Sequence, residues 1–227
     1  MNSGDLRYIT VKSYKNESML IITTVSDNPD IKKVMEFSLQ NGFKSVYWLK
    51  NDTKHDSFEG EIVTFVGEET LTIPITVDNQ TFNFLVGPFT FFQNNIYCFE
   101  VLLNYINKFI STLDSKTKIL YDLYCGVGLL GIIFAKSFKE VKGIEIVQQS
   151  IELAVQNKNI NKVENINFEI KDIKEMNFLP DNKSVVIVDP PRNGLEVKGV
   201  ENILQIPNQI LLKVSTFDTK KRGRGKF

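Results

Sequence analysis

The sequence predicts an α/β protein in two parts: a small β-rich mixed domain over residues 1–95, then an open, mainly parallel sheet with helices over residues 96–227. Three observations lead there. The first half is a series of short β-rich runs with one helical interruption. From Asn95 onward, strand-like and helix-like segments alternate, the grammar of βαβ units and a parallel sheet. In that second half a glycine turn and several acids fall at successive strand ends, where open α/β sheets keep their ligand sites.

In the first half, "LRYITVKSY" and "SMLIITTV" read as two strands of a hairpin separated by "KNE". "NPDIKKVMEFSLQNG" opens with a turn, carries apolar residues at helical spacing and closes on Asn41-Gly42. "SVYWL", "EIVTFVG", "LTIPITV" and "TFNFLVG" follow as strands, with a turn expected at Asn79-Gln80. In the second half, "IYCFEVLLNYINKFISTL" reads as a helix. "KILYDLYC" is then a strand, "GLLGIIFAKSF" a helix, "EVKGIEIV" a strand and "QQSIELAVQNKNIN" a helix. "INFEI" and "SVVIVD" are the third and fourth strands, "KGVENILQI" a helix and "QILLKVS" the fifth strand.

The composition narrows the function classes. Lys plus Arg equals Asp plus Glu at 27 each, so any nucleic-acid surface must be local rather than global. The two cysteines, Cys98 and Cys125, form no CxxC pair and supply no zinc or iron–sulfur ligand set. Cys98 is expected in the core. The N-terminus lacks a basic-then-apolar leader, and no apolar run approaches the ~18–20 residues of a membrane span. A cytoplasmic protein with no membrane partner and no metal is the expectation. The only biased segment is the tail "KKRGRGKF", with five basic residues in eight.

"DLYCGVGLLG" (Asp122 to Gly131) follows a strand and opens a helix. Gly126 and Gly128 permit a tight turn and close backbone approach to a ligand. Glu145 ends the next strand, seventeen residues after Gly128, where a carboxylate can accept from both ribose hydroxyls of an adenosine cofactor. Asp172 lies past the third strand, within reach of an adenine amino group. Gly131 also completes G-x-G-x-x-G, so a nicotinamide site fits the glycines equally well. The fourth strand discriminates. "VVIVDPPRNGL" runs into Asp189 and two prolines that stop the ladder. "DLYCG" paired with Asp-Pro-Pro is the arrangement of S-adenosylmethionine methyltransferases on a Rossmann-like sheet.

The chain resembles the RNA uracil-5-methyltransferases, which form 5-methyluridine in RNA. "GPFTFFQNN" (Gly87 to Asn95), "DLYCGVGLLGIIFAK" and "VDPPRNGL" carry the resemblance, in the family's order. "PFTFFQNN" and "KGIEIVQQSIELA" look most like tRNA-directed members. The resemblance implies S-adenosyl-L-methionine as cofactor and RNA, tRNA above all, as partner. It implies that Gln93 contacts the cofactor from the domain junction, that Tyr124 packs on it, and that Glu145 holds its ribose. It further implies that Asp189 sits between cofactor and uracil, while Pro190, Pro191 and Arg192 shape the pocket for a flipped base. An amino-group methyltransferase of the Asp-Pro-Pro-aromatic kind is disfavoured, because Arg192 stands in the aromatic position.

The resemblance also implies a nucleophilic cysteine that adds to uracil C6, in a Ser-Cys-Asn-Pro motif after the fifth strand, and a glutamate base further on. Here Ser215 fits the serine, Thr216 stands where the cysteine is expected, and no Asn-Pro follows. The expectation is therefore about five of seven sheet strands, a methyltransferase domain incomplete at its C-terminus, and no catalytic residue of the family in place. Cys125, inside the glycine loop, is not expected to substitute, and His55 is expected in an exposed polar loop. A non-catalytic RNA- or cofactor-binding chain is the alternative.

Overall fold

The computed structural model describes residues 5–28, 30–54, 57–116, 118–176, 184–190, 197–205 and 210–213. The chain divides into two compact units, Met1–Leu113 with Glu152–Lys162, and Asp114–Ile151 with Val163–Phe227.

The first unit opens with β1 (Leu6–Tyr14) and β2 (Glu17–Thr24), paired antiparallel. Tyr14 faces Glu17, so the connection is Lys15-Asn16 alone and Glu17 belongs to the strand rather than to the turn. Lys15 takes the left-handed conformation this tight loop demands (φ 51°). Helix α1 (Asp30–Gln40) crosses to β3 (Ser45–Lys50), which pairs parallel to β2, and β4 (Glu61–Gly67) closes a sheet of order β1-β2-β3-β4. Ile31 and Met35 of α1 bury against Leu20, Ile22, Val46 and Trp48. The Trp48 indole N–H donates to Thr24 Oγ1 at 2.8 Å, which satisfies the polar atom that this buried ring carries.

Strands β5 (Leu71–Val77) and β6 (Gln80–Val86) form a separate hairpin. Its turn is Asp78-Asn79, one residue earlier than expected. Both have positive φ (48° and 60°), which Asp and Asn tolerate far better than Gln does. The buried set Leu71, Ile73, Ile75 and Val77 alternates along β5, as a strand with one covered face requires.

Helix α2 (Ile96–Ser111) groups with this first unit, although its sequence position suggested the second. Polar contacts to the β5–β6 hairpin and to the β1–β2 turn explain why. Glu100 Oε1 accepts from Thr76 N and from the Lys15 ammonium, both at 2.8 Å, and Asn104 Oδ1 accepts from Asp78 N at 2.9 Å. Its buried stripe is Ile96, Phe99, Leu103, Ile106 and Ile110. Cys98 falls off that stripe and is exposed, which corrects the expectation of a core cysteine.

The edge of β6 is covered by side chains. On α4 (Gln148–Ile160) and the residue just past it, Asn157 and Asn161 lie one turn apart, and the backbone positions they meet on β6 lie two residues apart. Asn157 Oδ1 accepts from Leu85 N at 2.7 Å. Asn161 Oδ1 accepts from Asn83 N at 2.9 Å, and its amide donates to Asn83 O at 2.7 Å. The amides thus stand in for a neighbouring strand at an otherwise open edge.

The second unit is a five-stranded sheet of order β11-β10-β7-β8-β9, with every pair parallel. Its strands are β7 (Ile119–Leu123), β8 (Glu140–Glu145), β9 (Ile166–Ile170), β10 (Ser184–Val188) and β11 (Ile210–Lys213). The order runs outward from β7 in both directions, which makes the β7/β10 boundary the topological switch point of a doubly wound sheet. Helix α3 is short (Leu129–Phe134), passing into a 3-10 turn at Ala135–Ser137, and α5 covers Val197–Leu204. One face of the sheet is packed by Tyr121, Leu123, Ile144, Val186 and Val188 with Ile173, Met176 and Ile203. Among the described residues no helix is long and apolar enough to cross a membrane.

Candidate cofactor and base site

The carboxyl ends of β7, β8 and β10 carry Asp122, Glu145 and Asp189. The glycine loop leaves β7 through three left-handed residues, Tyr124 (φ 61°), Gly126 (φ 51°) and Gly128 (φ 80°). The two glycines take this backbone without cost, whereas Tyr124 is strained and is held by packing. Its ring lies against the core of the β7–β10 face, and its hydroxyl is 3.9 Å from where a Cβ would project at Gly199. Gly128 caps α3, and Gly131 lets that helix lie close on the sheet. A Cβ at Gly131 would stand 2.7 Å from Ile166 Cδ1 and 3.0 Å from Asp122 Oδ2.

Glu145 binds the two loops together. Its Oε2 accepts from Gly126 N at 3.1 Å, and its Oε1 accepts from Ile146 N at 2.8 Å and Val147 N at 3.0 Å. Three backbone donors fix the orientation of the carboxylate, which has about four acceptor sites in all. Beyond it Ile146 and Val147 are exposed, as is Ile170 at the end of β9, so aliphatic side chains border the acid. Asp172, just past β9, caps a 3-10 turn through Lys174 N at 2.9 Å. Asn202 of α5 donates to the Ile173 and Lys174 carbonyls and steadies that turn.

Asp122 is the residue whose weight the motif reading understated. It is fully buried, its Oδ2 accepts from Gly131 N at 2.7 Å, and its Oδ1 has no hydrogen-bond partner among the described residues. Burial pushes its carboxyl up to about 7; the Gly131 N–H opposes this, and the carboxylates of Asp189 and Glu145 add to it. Asp189 is half-buried, and burial lifts it to about 6. The signal for Asp122 in the sequence was an acid inside the apolar run "ILYDL".

The structure thus brings Tyr124, Gly126, Gly128, Glu145, Asp172, Asp189 and Pro190 to one end of the second unit. Gln93 lies in the first unit, half-buried on the segment between β6 and α2. Pro191, Arg192, Ser215, Thr216 and His55 lie outside the described residues. Cys125 is buried, and burial pushes its thiol well up, with Asp122 and Glu145 adding to the effect. A thiol held in that state is a poor nucleophile.

Comparison with known proteins identifies the family. A family described as tRNA (uracil-5-)-methyltransferase matches residues 60–219. An uncharacterized RNA methyltransferase of Caldanaerobacter subterraneus subsp. tengcongensis is 29% identical over 219 residues, covering 94% of this chain and 48% of that protein. A tRNA (uracil(54)-C(5))-methyltransferase of Pyrococcus horikoshii is 31% identical, covering 94% of this chain and 49% of that protein. The crystal structure of the Pyrococcus abyssi tRNA (uracil-54, C5)-methyltransferase in complex with S-adenosyl-L-homocysteine superposes with a TM-score of 0.74 at 31% identity, over 94% of this chain and 51% of that one. The chain spans about half the length of the relatives it matches. With more than half of its length matched, this chain belongs to the tRNA (uracil-5-)-methyltransferase family.

Proposed function

We propose that this chain forms the cofactor-binding and base-flanking part of an RNA uracil-5-methyltransferase that acts on tRNA, with S-adenosyl-L-methionine as methyl donor. The observation that carries the reading is Glu145, locked by three backbone donors beside a glycine loop of left-handed residues. The donor set fits this cofactor in two ways. A fixed carboxylate suits ribose hydroxyls, with the exposed Ile146 and Val147 as an apolar ledge for a flat adenine. The carboxylates of Glu145 and Asp189 also create a negative field at the carboxyl ends of these strands, which favours a cationic ligand.

When bound, the cofactor supplies an electrophilic methyl group on a sulfonium. The chain's own residues bind and orient. Asp172 serves the adenine amino group, Tyr124 packs on the cofactor, and Gln93 takes the cofactor contact that the resemblance implies. Asp189 as a carboxylate accepts from a uracil N3–H, and Pro190, Pro191 and Arg192 take the role that the resemblance implies, shaping the pocket for the flipped base. A binding-only role for these 227 residues is favoured by one observation: Cys125, the cysteine of the glycine loop, is buried with its thiol held protonated.

Calorimetry with S-adenosyl-L-homocysteine on the wild type and on Glu145→Ala tests the assignment. Loss of a charge-assisted acceptor is expected to weaken binding by about 1.5–3 kcal/mol, roughly 10- to 150-fold. Equal affinity in the two chains would remove Glu145 from the site.

A further inference from the structure

The segment Gly87–Asn95 carries Gln93, and its shape is set by a side chain 75 residues away in sequence from the nearest carbonyl it holds. The Lys12 ammonium, on β1, donates to Gly87 O at 3.1 Å and to Thr90 O at 2.7 Å. Those two carbonyls belong to one four-residue turn with Pro88 at its second position, where proline presets the backbone. The turn is closed from within: Thr90 Oγ1 accepts from Gly87 N at 3.1 Å, and Thr90 N donates back to Gly87 O at 3.3 Å.

Two residues along the same face of β1, Tyr14 meets Phe92 edge-on, with ring centroids 5.4 Å apart. Phe84 of β6 stands on another side of Phe92 at 6.4 Å. Downstream, Asn95 caps α2 by accepting from Cys98 N. The segment is therefore fixed at Gly87–Thr90, at Phe92 and at Asn95, and Gln93 sits between the last two anchors.

A lysine is a costly way to bind two carbonyls. Lys12 is half-buried, and the two acceptors it holds are uncharged carbonyls. Burial pulls the Lys12 ammonium down to about 8, with the Glu59 carboxylate opposing the shift. What singles Lys12 out is geometric: one ammonium meets both ends of the turn. Its chemistry does fit a clamp: three donors on one nitrogen, two of them spent on the two ends of one turn.

We propose that Lys12 is a positioning residue, whose ammonium clamps the Gly87–Thr90 turn and so fixes the segment that presents Gln93. The positioning role rests on the proposed cofactor contact of Gln93; the clamp itself does not.

Two measurements on the full chain separate these. Lys12→Met keeps the length of the side chain and removes every donor, while Lys12→Arg keeps a cation with several donors. In the first measurement, chymotrypsin nicking after Phe91 and Phe92 is followed at native pH, with circular dichroism as the check on folding. Lys12→Met is expected to nick about tenfold faster, the factor that loss of roughly 1.4 kcal/mol of local stability gives, and Lys12→Arg at near the wild-type rate. If Lys12→Met does not fold, Lys12→Gln, which falls short of the two carbonyls, is read in its place. An unchanged nicking rate in a folded variant overturns the clamp, whatever the cofactor does.

The second measurement is a double-mutant cycle on S-adenosyl-L-homocysteine affinity, with Lys12→Met, Gln93→Ala and both together. A positioning role predicts that Lys12→Met weakens binding about tenfold alone and adds nothing on the Gln93→Ala background. Faster nicking with unchanged affinity, while Gln93→Ala does weaken binding, overturns the positioning role. If Gln93→Ala itself binds as the wild type does, the assignment of Gln93 fails, and the nicking rate alone decides for or against the clamp.

Discussion

Replacing Asp122 with Asn should make the protein's stability less sensitive to pH, and the structure sets both the sign and the size. The carboxyl is fully buried with one hydrogen bond, and its pKa is raised to about 7, from an unfolded value near ~3.9. Between those two values the folded chain keeps a proton that the unfolded chain has lost. Stability from this group is thus fully present below about pH 4, declines as the pH rises, and is lost above about 7. Roughly three pH units at about 1.4 kcal/mol each set an upper limit near ~4 kcal/mol, and relaxation around a charged group brings the expected effect to about 2 kcal/mol. Asn does not titrate. Its amide oxygen can accept from Gly131 N as Oδ2 does, and its NH2 fills the place of the unpartnered Oδ1. Asp189, raised to about 6 by burial, adds a slope in the same direction to both chains and largely cancels in the difference. Urea unfolding of the two chains at pH 5, 6, 7 and 8 reads the effect as a midpoint difference. The variant should gain on the wild type steadily with pH. Parallel profiles, or a wild type that gains on the variant at high pH, would show that Asp122 is ionised at little cost and that the reasoning from burial is wrong.

Gly131→Ala places a methyl 2.7 Å from Ile166 Cδ1, 3.0 Å from Asp122 Oδ2 and 3.3 Å from Val141 Cγ1. Only the isoleucine end can swing aside, so overpacking of about 1–3 kcal/mol, partly offset by alanine's helix propensity, should lower the urea midpoint; an unchanged midpoint would mean that α3 shifts freely. Tritium transfer from labelled S-adenosyl-L-methionine to unmodified tRNA should stay at background for these 227 residues, because Cys125 is held as a buried thiol and Thr216 lacks an activating partner in the sequence around it. Turnover above background, with a full-length relative as control, would require a nucleophile other than the one the family resemblance implies. Glu145→Ala and Lys12→Met, set out above, complete the series.

The sequence by itself determined the elements. Hydrophobic periodicity and turn residues are local properties, so the alternation from β7 to β11, the glycine loop and the acids at strand ends could be placed without coordinates. Local chemistry also explains the two small corrections, since a two-residue hairpin loop needs left-handed residues and Asp78-Asn79 supplies them where Asn79-Gln80 would not. What only the tertiary structure decided are properties of distant partners and of burial. Helix α2 sits with the β5–β6 hairpin because Glu100 and Asn104 find donors there, and the same wheel turns Cys98 outward. Asn157 and Asn161 look like ordinary surface amides until they meet the edge of β6 some 72 and 78 residues earlier. Lys12 reads as one more solvated cation on a strand, and only the fold sets its ammonium on Gly87 and Thr90. Asp122 reads as a motif letter, but its ionisation depends on how completely water is excluded and on which carboxylates share its surroundings. Those energies arise between groups far apart in the chain and in a medium that folding creates, so no window of sequence contains them.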